Sequence, residues 1–170
     1  MTETKRLEKR MYFFVPYQLT GIQQGIQCGH AALEYAYEHG NSPDYIDFIR
    51  NDKTWIVLNG GSTRSFLLVG QDGFNIPGTL NQIENDLEEM CICYSSFREP
   101  DLENALTAVC FIADERVWNK KDYPDYLEWY QEKEGIILEY GEPEFDYWKE
   151  LIGGEKNLFL RNLINGKKLA

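Results

Sequence analysis

The stretch MYFFVPYQLTGIQQGIQCGHAALEYA, residues 11–36, decides the fold class of this chain. Its first six residues are apolar and end in a proline, which predicts a buried β-strand over residues 11–16. A turn rich in glycine and glutamine follows, and helix-forming residues then predict a helix over residues 22–38. We expect the inward face of that helix to carry Ile22, Ile26, Ala32 and Leu33. A buried strand that leads into a helix is typical of an α/β protein.

The pattern of strands and helices continues through the first two-thirds of the chain. We predict a helix over 43–51, strands over 54–61 and 65–70, a loop over 71–78, a helix over 79–89 with Leu80, Ile83, Leu87 and Met90 inward, and strands over 91–97 and 105–113. The long early connections suit helical crossovers, and the short last one suits a hairpin. The predicted fold class is therefore α/β, a mixed β-sheet with flanking helices.

The texture of the sequence changes at Asp114. The segments DYPDYLEWYQEKEG, EPEFDYWKELIGG and NLFLRNLI are acidic, aromatic and helical in pattern. We therefore divide the chain into a charged tail (1–10), an α/β core (11–113) and a helical extension (114–170) packed on that core. Burial in the extension is expected for its large aromatic side chains, which are Trp118, Tyr126, Trp129, Tyr130, Phe145 and Trp148.

Composition limits the classes of function. The 170 residues carry a net charge of -11, and a protein that follows a nucleic-acid backbone usually presents a basic surface. A small phosphorylated ligand or an RNA end is still compatible with this charge. Neither a membrane span nor a signal peptide is evident, so we predict a cytoplasmic protein, in the host cytoplasm if the gene belongs to a phage.

The spacing of the four cysteines is not typical of a metal site. The sequence contains no C-x-x-C pair and only two histidines, which disfavours zinc. Cys91 and Cys93 are two residues apart, so we expect both on one face of a strand. We predict reduced core thiols and neither a metal nor a cofactor.

The turn between the first strand and the first helix has the make-up of an anion cradle. A helix N-terminus presents free N–H groups and a positive dipole end, and glycines allow a ligand to approach the backbone closely. The alternative is an ordinary tight turn. The candidate ligand-binding residues here are Tyr17, Thr20, Gly21, Gln23, Gln24 and Gln27.

Two further loops carry groups suited to a ligand. NGGSTRS offers Asn59, Ser62, Thr63 and Arg64 as a nest for an anion, although Asn-Gly is also typical of a plain hairpin turn. FREPDLEN offers Arg98 and Asn104 to a phosphate, and Glu99 or Asp101 to a proton or a ribose hydroxyl. The alternative there is a solvated turn whose charges pair with each other.

The motif QCGHAALEYA resembles the AQCSHAA helix of type-2 peptidyl-tRNA hydrolases, and Gln27, Cys28 and His30 match it position by position. The likeness extends over about residues 11–112, including TWIVLNG, GTLNQIENDLEEM and the two last strands. It implies the mixed sheet of that family, an ester-hydrolysing site and a homodimer. It also assigns Thr107 to the family's threonine, and either Glu99 or Asp101 to its catalytic aspartate.

The chain departs from that family at the catalytic cation. Gly21 and Gln23 stand where the family has lysines, and the sequence has no lysine between Lys9 and Lys53. Because neither residue replaces a positive charge, we expect an altered site that recognises a nucleotide or a nucleotide-terminated ligand. His30 is either a packed residue or a general base.

Two alternative functions follow from the same resemblance. The sequence segments HAALEYA, NGG and REPDL look like the form found in large tailed phages, which suggests a counter-defence protein. Such a protein would sequester or cleave a nucleotide immune signal of the cyclic dinucleotide or cyclic ADP-ribose type. The other alternative is an active peptidyl-tRNA hydrolase with Arg64 or Arg98 as a substitute cation. If the protein is an enzyme, the reaction is hydrolysis of an ester or a phosphodiester.

Overall fold

The computed structural model describes residues 5–63, 78–134 and 142–170. The strand predicted over 65–70, nearly all of the loop after it and Arg64 lie outside these ranges. The described chain forms two compact units. One comprises the described residues within 9–112 together with 167–170, and the other comprises residues 5–8 with the described residues within 113–166.

The first unit is an α/β sheet with flanking helices. Its elements are β1 (Lys9–Pro16), α1 (Gly21–His39), α2 (Pro43–Asn51), β2 (Thr54–Gly61), α3 (Thr79–Glu89), β3 (Tyr94–Glu99) and β4 (Ala105–Asp114). The strand order is β2-β1-β4-β3. β1 pairs in parallel with β2, whereas β3 and β4 form an antiparallel pair joined by a short 3₁₀ turn. The predicted mixed sheet with flanking helices is confirmed.

The core of this unit lies on both sides of β1. Met11, Phe13 and Val15 are fully buried in a cluster with Cys28 and Ala31 of α1. Successive side chains of a strand alternate between the two faces of a sheet. Accordingly, the rings of Tyr12 and Phe14 pack against Phe111 of β4. The predicted inward residues of α3, Leu80, Ile83 and Leu87, are buried, and Met90 is half-buried just after it.

The predicted inward face of α1 is wrong. Ile22, Ile26 and Leu33 are 81%, 51% and 70% exposed, and only Ala32 is partly buried against the core. The buried residues are instead Gln24, Gln27, Cys28, Ala31 and Tyr35. These have helical spacing, but two of them are amides. The amides on this side of α1 find hydrogen-bond partners on the strands, so the small and polar side of the helix packs on the sheet. The bulky aliphatic side chains lie on the opposite side and are exposed.

The prediction for Cys91 and Cys93 is also wrong, because β3 begins three residues later than expected. The N–H groups of Cys91 and Ile92 bond back to the carbonyls at the end of α3, and Cys91 has a φ of 50°. This turn leaves Cys91 and Cys93 exposed. Cys28 and Cys110 are buried, as a core-thiol assignment requires.

The second unit is helical and aromatic. It contains α4 (Glu115–Trp118), α5 (Tyr126–Glu134), α6 (Glu142–Leu151) and α7 (Gly154–Ile164). Tyr126, Trp148 and Ile152 form its buried centre. Around that centre pack the partly buried side chains of Tyr123, Trp129, Tyr130, Phe145 and Leu158. None of the helices in the described ranges is long and apolar enough to span a membrane.

The last residues of the chain return to the sheet. Leu169 forms an antiparallel bridge with Leu58 of β2. The Asn59 N–H donates to the Lys168 carbonyl (2.9 Å), and the Ala170 N–H donates to the Val57 carbonyl (3.0 Å). The chain end thereby covers part of the outer edge of β2.

Candidate functional site

The start of α1 is held by a capping box. Thr20 is the N-cap residue, and its hydroxyl accepts from the Gln23 N–H at 3.4 Å. In return, Gln23 Oε1 accepts from the Thr20 N–H at 3.0 Å. Such reciprocal bonds satisfy helix-end donors and fix where the helix begins. Both predicted ligand contacts therefore have a structural role, and Gly21 beside them has no heavy atom near its missing Cβ.

Two glutamines one helical turn apart fasten α1 to the sheet. The Gln24 Nε2 donates to the carbonyl of Pro16, the last residue of β1, at 3.3 Å. Gln27 forms hydrogen bonds with Glu99 of β3 and Thr107 of β4. The first turns of α1 therefore lie across one end of the sheet, between the end of β1 and the end of β3.

Gln27 is the centre of a buried chain of polar groups. The Thr107 hydroxyl donates to Gln27 Oε1 at 2.6 Å, and the Phe97 carbonyl is a second acceptor within its reach at 3.2 Å. Gln27 Nε2 donates to Glu99 Oε2 at 2.8 Å. Thr107 is 1% and Gln27 7% exposed, so each needs these partners. The structure thus brings together three residues that the sequence singled out.

Glu99 ends this chain with one oxygen available. It is half-buried at the end of β3, and Oε2 is held by Gln27. Within the described ranges, no group bonds to Oε1. A carboxylate with one oxygen fixed and one open accepts hydrogen bonds in a set direction. Asp101, by contrast, is exposed in the 3₁₀ turn without a side-chain hydrogen bond to any described residue, so Glu99 is the loop acid that joins the network.

His30 packs beside this network. Its ring lies 4.4 Å from the Phe97 ring, centroid to centroid, at an angle of 58°. The Nδ1 atom is buried and has no hydrogen-bond partner among the described residues. A general base usually has its second nitrogen oriented by an acceptor, and the described part of the chain provides none for His30.

Neighbouring residues of β3 face opposite sides of the sheet. Phe97 and Glu99 contact α1, whereas Arg98 forms an ion pair with Glu84 of α3. The Arg98 side chain is 46% exposed, and that of Glu84 only 11%. Arg98 therefore lies away from the carboxylate of Glu99, and the two do not converge on one group of a ligand.

The loop after β2 adjoins the turn after β1. The Tyr17 N–H donates to the Gly61 carbonyl at 3.0 Å, and the Tyr17 side chain is exposed. Asn59 Oδ1 accepts from the Gly61 N–H at 2.7 Å, and the Ser62 N–H donates to Thr79 Oγ1 at 2.8 Å. These bonds occupy the side-chain oxygen of Asn59 and one N–H of the predicted nest.

Thr63 is the last described residue of that loop. Its hydroxyl is buried, without a hydrogen-bond partner among the described residues. Arg64, its predicted companion, lies outside those residues. The third loop ends at Asn104, which is exposed in the left-handed conformation with a φ of 57°, and its N–H donates to the Glu99 carbonyl at 3.1 Å.

The candidate residues span the width of the sheet. β2 and β3 are its outer strands, three strand spacings apart, which is about 14 Å. The loops after β1 and β2 adjoin, while Glu99 lies at the opposite edge and is linked to them through α1. Such a site suits an extended ligand with polar groups at both ends.

Two residues beside the site, Phe97 and Glu84, are not among the candidates that the sequence predicts. The first could have been found, because Phe97 and Glu99 are two apart on a strand and must share a face. The second depends on where α3 packs, which the sequence pattern does not encode.

Cys28, next to Gln27 in α1, is buried. Burial raises the pKa of the Cys28 thiol to about 12, so this thiol stays protonated and unreactive. In the described ranges, no group of three or more His, Cys, Asp or Glu residues is arranged to hold a metal ion. No family model matches this chain, and no curated protein matches it in sequence.

Proposed function

We propose that the chain binds a nucleotide or a nucleotide-terminated ligand across the end of its sheet, as an altered relative of type-2 peptidyl-tRNA hydrolases. The observation that carries this proposal is the hydrogen-bonded chain from Thr107 through Gln27 to Glu99. It holds a half-buried carboxylate with one open oxygen, which is a suitable acceptor for a ribose hydroxyl.

The chemistry of the network favours binding over hydrolysis. A neutral amide does not take up a proton from a hydroxyl group, so Gln27 orients its neighbours and cannot pass a proton from Thr107 to Glu99. Hydrolysis also needs a cation or donors to stabilise developing negative charge. The lysine positions carry Gly21 and Gln23, and Arg98 is paired with Glu84.

The charge of the chain restricts how a phosphate would be held. With a net charge of -11, the protein does not attract anions at long range. Among the described residues of the turn after β1 and the loop after β2, contacts to a phosphate would then come from those neutral donors that are not used in the internal hydrogen bonds given above. This predicts modest dependence of binding on salt, unlike that of a basic nucleic-acid surface.

The test is mass spectrometry of protein incubated with a panel of ligands. The panel holds blocked aminoacyl-tRNA, cyclic dinucleotides, cyclic ADP-ribose isomers and ordinary nucleotides. We expect one species to be retained intact at about one per site. Glu99→Gln should weaken that retention at least tenfold, since a charged hydrogen bond contributes about 1.5–3 kcal/mol.

The matched control is Glu34→Gln. Glu34 is exposed on α1 outside the network, so its variant removes the same charge and should retain the ligand normally. Retention of no panel member at millimolar concentration would contradict the proposal.

Multiple turnover of a panel member would instead support the alternatives. Loss of blocked aminoacyl-tRNA that collapses with Thr107→Val would indicate a peptidyl-tRNA hydrolase. Cleavage of a cyclic nucleotide that collapses with His30→Ala would indicate a phosphodiesterase acting on an immune signal. Intact retention of such a signal would support the sequestering form of a phage counter-defence protein.

We also propose that two copies pair through α1. Ile22, Ile26, Leu33 and Tyr37 form an exposed apolar stripe along this helix. In an antiparallel pair, Ile22 lies opposite Tyr37, Ile26 lies opposite Leu33, and Gly29 lies at the crossing point. A two-fold interface must be self-complementary in this way, and a stable one buries about 800 Å² on each partner, of which the stripe supplies the apolar centre.

Sedimentation measures this pairing. The native chain should sediment as a dimer, and Leu33→Glu should give a monomer. Leu127→Glu changes a comparably exposed leucine in the other unit and should leave the dimer intact. A native chain that is monomeric at micromolar concentration contradicts the pairing.

A further inference from the structure

The helical unit contains an aromatic pocket that the proposed function does not use. Its volume is about 180 Å³. A dry cavity of about 150 Å³ accepts a ligand of benzene size, so this pocket has room for a small organic group. Its lining includes the aromatic residues Tyr123, Trp129 and Trp148 and the aliphatic residues Leu151 and Ile152.

Asp122 lies at the same pocket and gives it a charge. Its side chain is exposed, and Oδ2 accepts from Asn119 Nδ2 at 2.9 Å. Within the described ranges, no lysine or arginine forms an ion pair with this carboxylate. The acid Asp125, two residues past Tyr123, is by contrast paired with Lys120 and Arg161.

One polar atom of the pocket lining, the indole nitrogen of Trp148, is already occupied. Trp148 Nε1 donates to the Pro124 carbonyl at 3.1 Å. This bond fixes the indole ring and leaves no donor on Trp148 for an anion. Three of the seven residues that line the pocket are aromatic, and the face of an aromatic ring attracts cations.

Cations of the protein itself already use ring faces in this unit. The Arg161 guanidinium lies 5.8 Å from the Trp148 ring, and Lys149 Nζ lies 5.9 Å from the Phe145 ring. The charge of Arg161 is balanced by Asp125 at 2.5 Å. It therefore leaves the acid at the pocket uncompensated.

We propose that this pocket binds an alkylated ammonium group, such as that of a small quaternary amine. Aromatic residues in the lining and one acid at the same pocket are the combination that recognises such cations. A bulky alkylated cation is weakly hydrated and fills apolar space, unlike a metal ion or a primary ammonium. The site lies within the helical unit and shares no residue with the nucleotide-type site.

The test is an NMR titration of the indole N–H signals with choline. We expect saturable shifts of Trp129 and Trp148, while the indole of Trp55, which belongs to the other unit, stays unchanged. The neutral isostere 3,3-dimethylbutan-1-ol has the same shape without the charge. It should bind at least tenfold more weakly.

Variants distinguish the effect of the Asp122 charge on choline binding from the effect of the net negative charge of the protein. Asp122→Asn should weaken choline binding about threefold to tenfold and leave binding of the neutral isostere unchanged. Glu128→Gln removes an exposed charge of α5 outside the pocket and should leave both unchanged. Trp129→Leu should abolish the choline shifts of Trp148.

Three results would overturn the proposal. Equal affinity for choline and its neutral isostere would make the pocket merely apolar. Equal weakening by Asp122→Asn and Glu128→Gln would assign the attraction to net charge alone. Shifts that fail to saturate at tens of millimolar choline would mean that the pocket does not hold this cation.

Discussion

At the scale of single residues, Gln27 holds the candidate site together. Because amides at a helix start suit a phosphate, the sequence predicts Gln27 as a ligand contact. In the structure both ends of its amide are used, one by Thr107 and one by Glu99. Those partners lie 80 and 72 residues away along the chain. A sequence can nominate the three side chains by type, but which of them touch depends on the packing of α1 on the sheet.

Asp114 is a half-buried helix-capping residue whose ionised form is stabilised by partners in the helical unit. It caps α4, and its carboxylate accepts from Arg116 Nη2 at 2.8 Å and from Asn157. Burial by itself would raise its pKa, but the hydrogen bonds and charge of Arg116, with Asn157, outweigh burial and lower the pKa. A carboxylate with a lowered folded pKa contributes stability that is fully present above its unfolded pKa, about 3.9.

We therefore predict that Asp114→Asn lowers the free energy of unfolding at pH 7 by about 1–3 kcal/mol. The native chain should lose this advantage as the pH falls below about 4, through the folded pKa. Urea unfolding at pH 7 and at successively lower pH measures the difference. Asp101→Asn, at an exposed position, is the control. A difference that does not shrink in acid would contradict the assignment.

Two of the four cysteines are exposed and two are buried, and the sequence alone did not reveal this difference. Cys91 and Cys93 are exposed, while Cys28 and Cys110 are fully buried. Burial raises the pKa of both buried thiols, and only the thiolate is nucleophilic. We predict that a thiol reagent at pH 8 modifies two cysteines in the native protein and all four after denaturation. Rapid modification of four in the native state would be inconsistent with this core.

At the scale of elements, the sequence pattern predicted where helices and strands begin and end better than it predicted which face of a helix is buried. The helices over 43–51 and 79–89 and the strand over 54–61 have the predicted ends, and α1 is longer by one residue at each end. Periodicity and turn residues are local, so they encode where an element begins and ends. The buried face of α1 is not local. It carries two glutamines whose hydrogen-bond partners are supplied by β1, β3 and β4, and hydropathy alone favours the opposite side.

The glycines of α1 allow a test of this outward orientation. A Cβ at Gly25 would have no heavy atom within 4 Å, whereas one at Gly60 would lie 2.8 Å from Leu80 Cδ1 and 3.2 Å from Phe14 Cβ. Glycine inside a helix costs about 0.5–1 kcal/mol relative to alanine. We predict that Gly25→Ala stabilises the protein by about that amount and that Gly60→Ala destabilises it. Thermal unfolding of both variants, each combined with Leu33→Glu to keep α1 unpaired, measures this, and a destabilised Gly25→Ala protein would mean that the chain itself covers α1 at that point.

At the scale of the whole molecule, neither of the two units is one continuous stretch of the sequence. The aromatic segments after Asp114 form a unit of their own, with residues 5–8 included, while residues 167–170 belong to the α/β unit. The amino-acid texture indicated the change near Asp114 because large aromatic side chains need a core. It did not indicate the return of the last four residues, since a short pairing on an edge strand leaves no periodicity to detect.

That return predicts a measurable role for the chain end. Removing residues 167–170 takes away the acceptor of the Asn59 N–H and the donor to the Val57 carbonyl, and exposes the outer edge of β2. Two backbone hydrogen bonds contribute roughly 1–3 kcal/mol together. We expect the truncated chain to show faster hydrogen exchange at the Asn59 amide and a lower free energy of unfolding.

The amides of β4 provide the internal control, because that strand lies inside the sheet with partners on both sides. Their exchange should change only by the global loss of stability, whereas Asn59 should lose protection beyond it. An exposed strand edge also offers unpaired N–H and C=O groups to another chain, so the truncated protein should associate more readily at high concentration. Unchanged protection of Asn59 after truncation would mean that the bridge from Leu58 to Leu169 contributes nothing to the stability of β2.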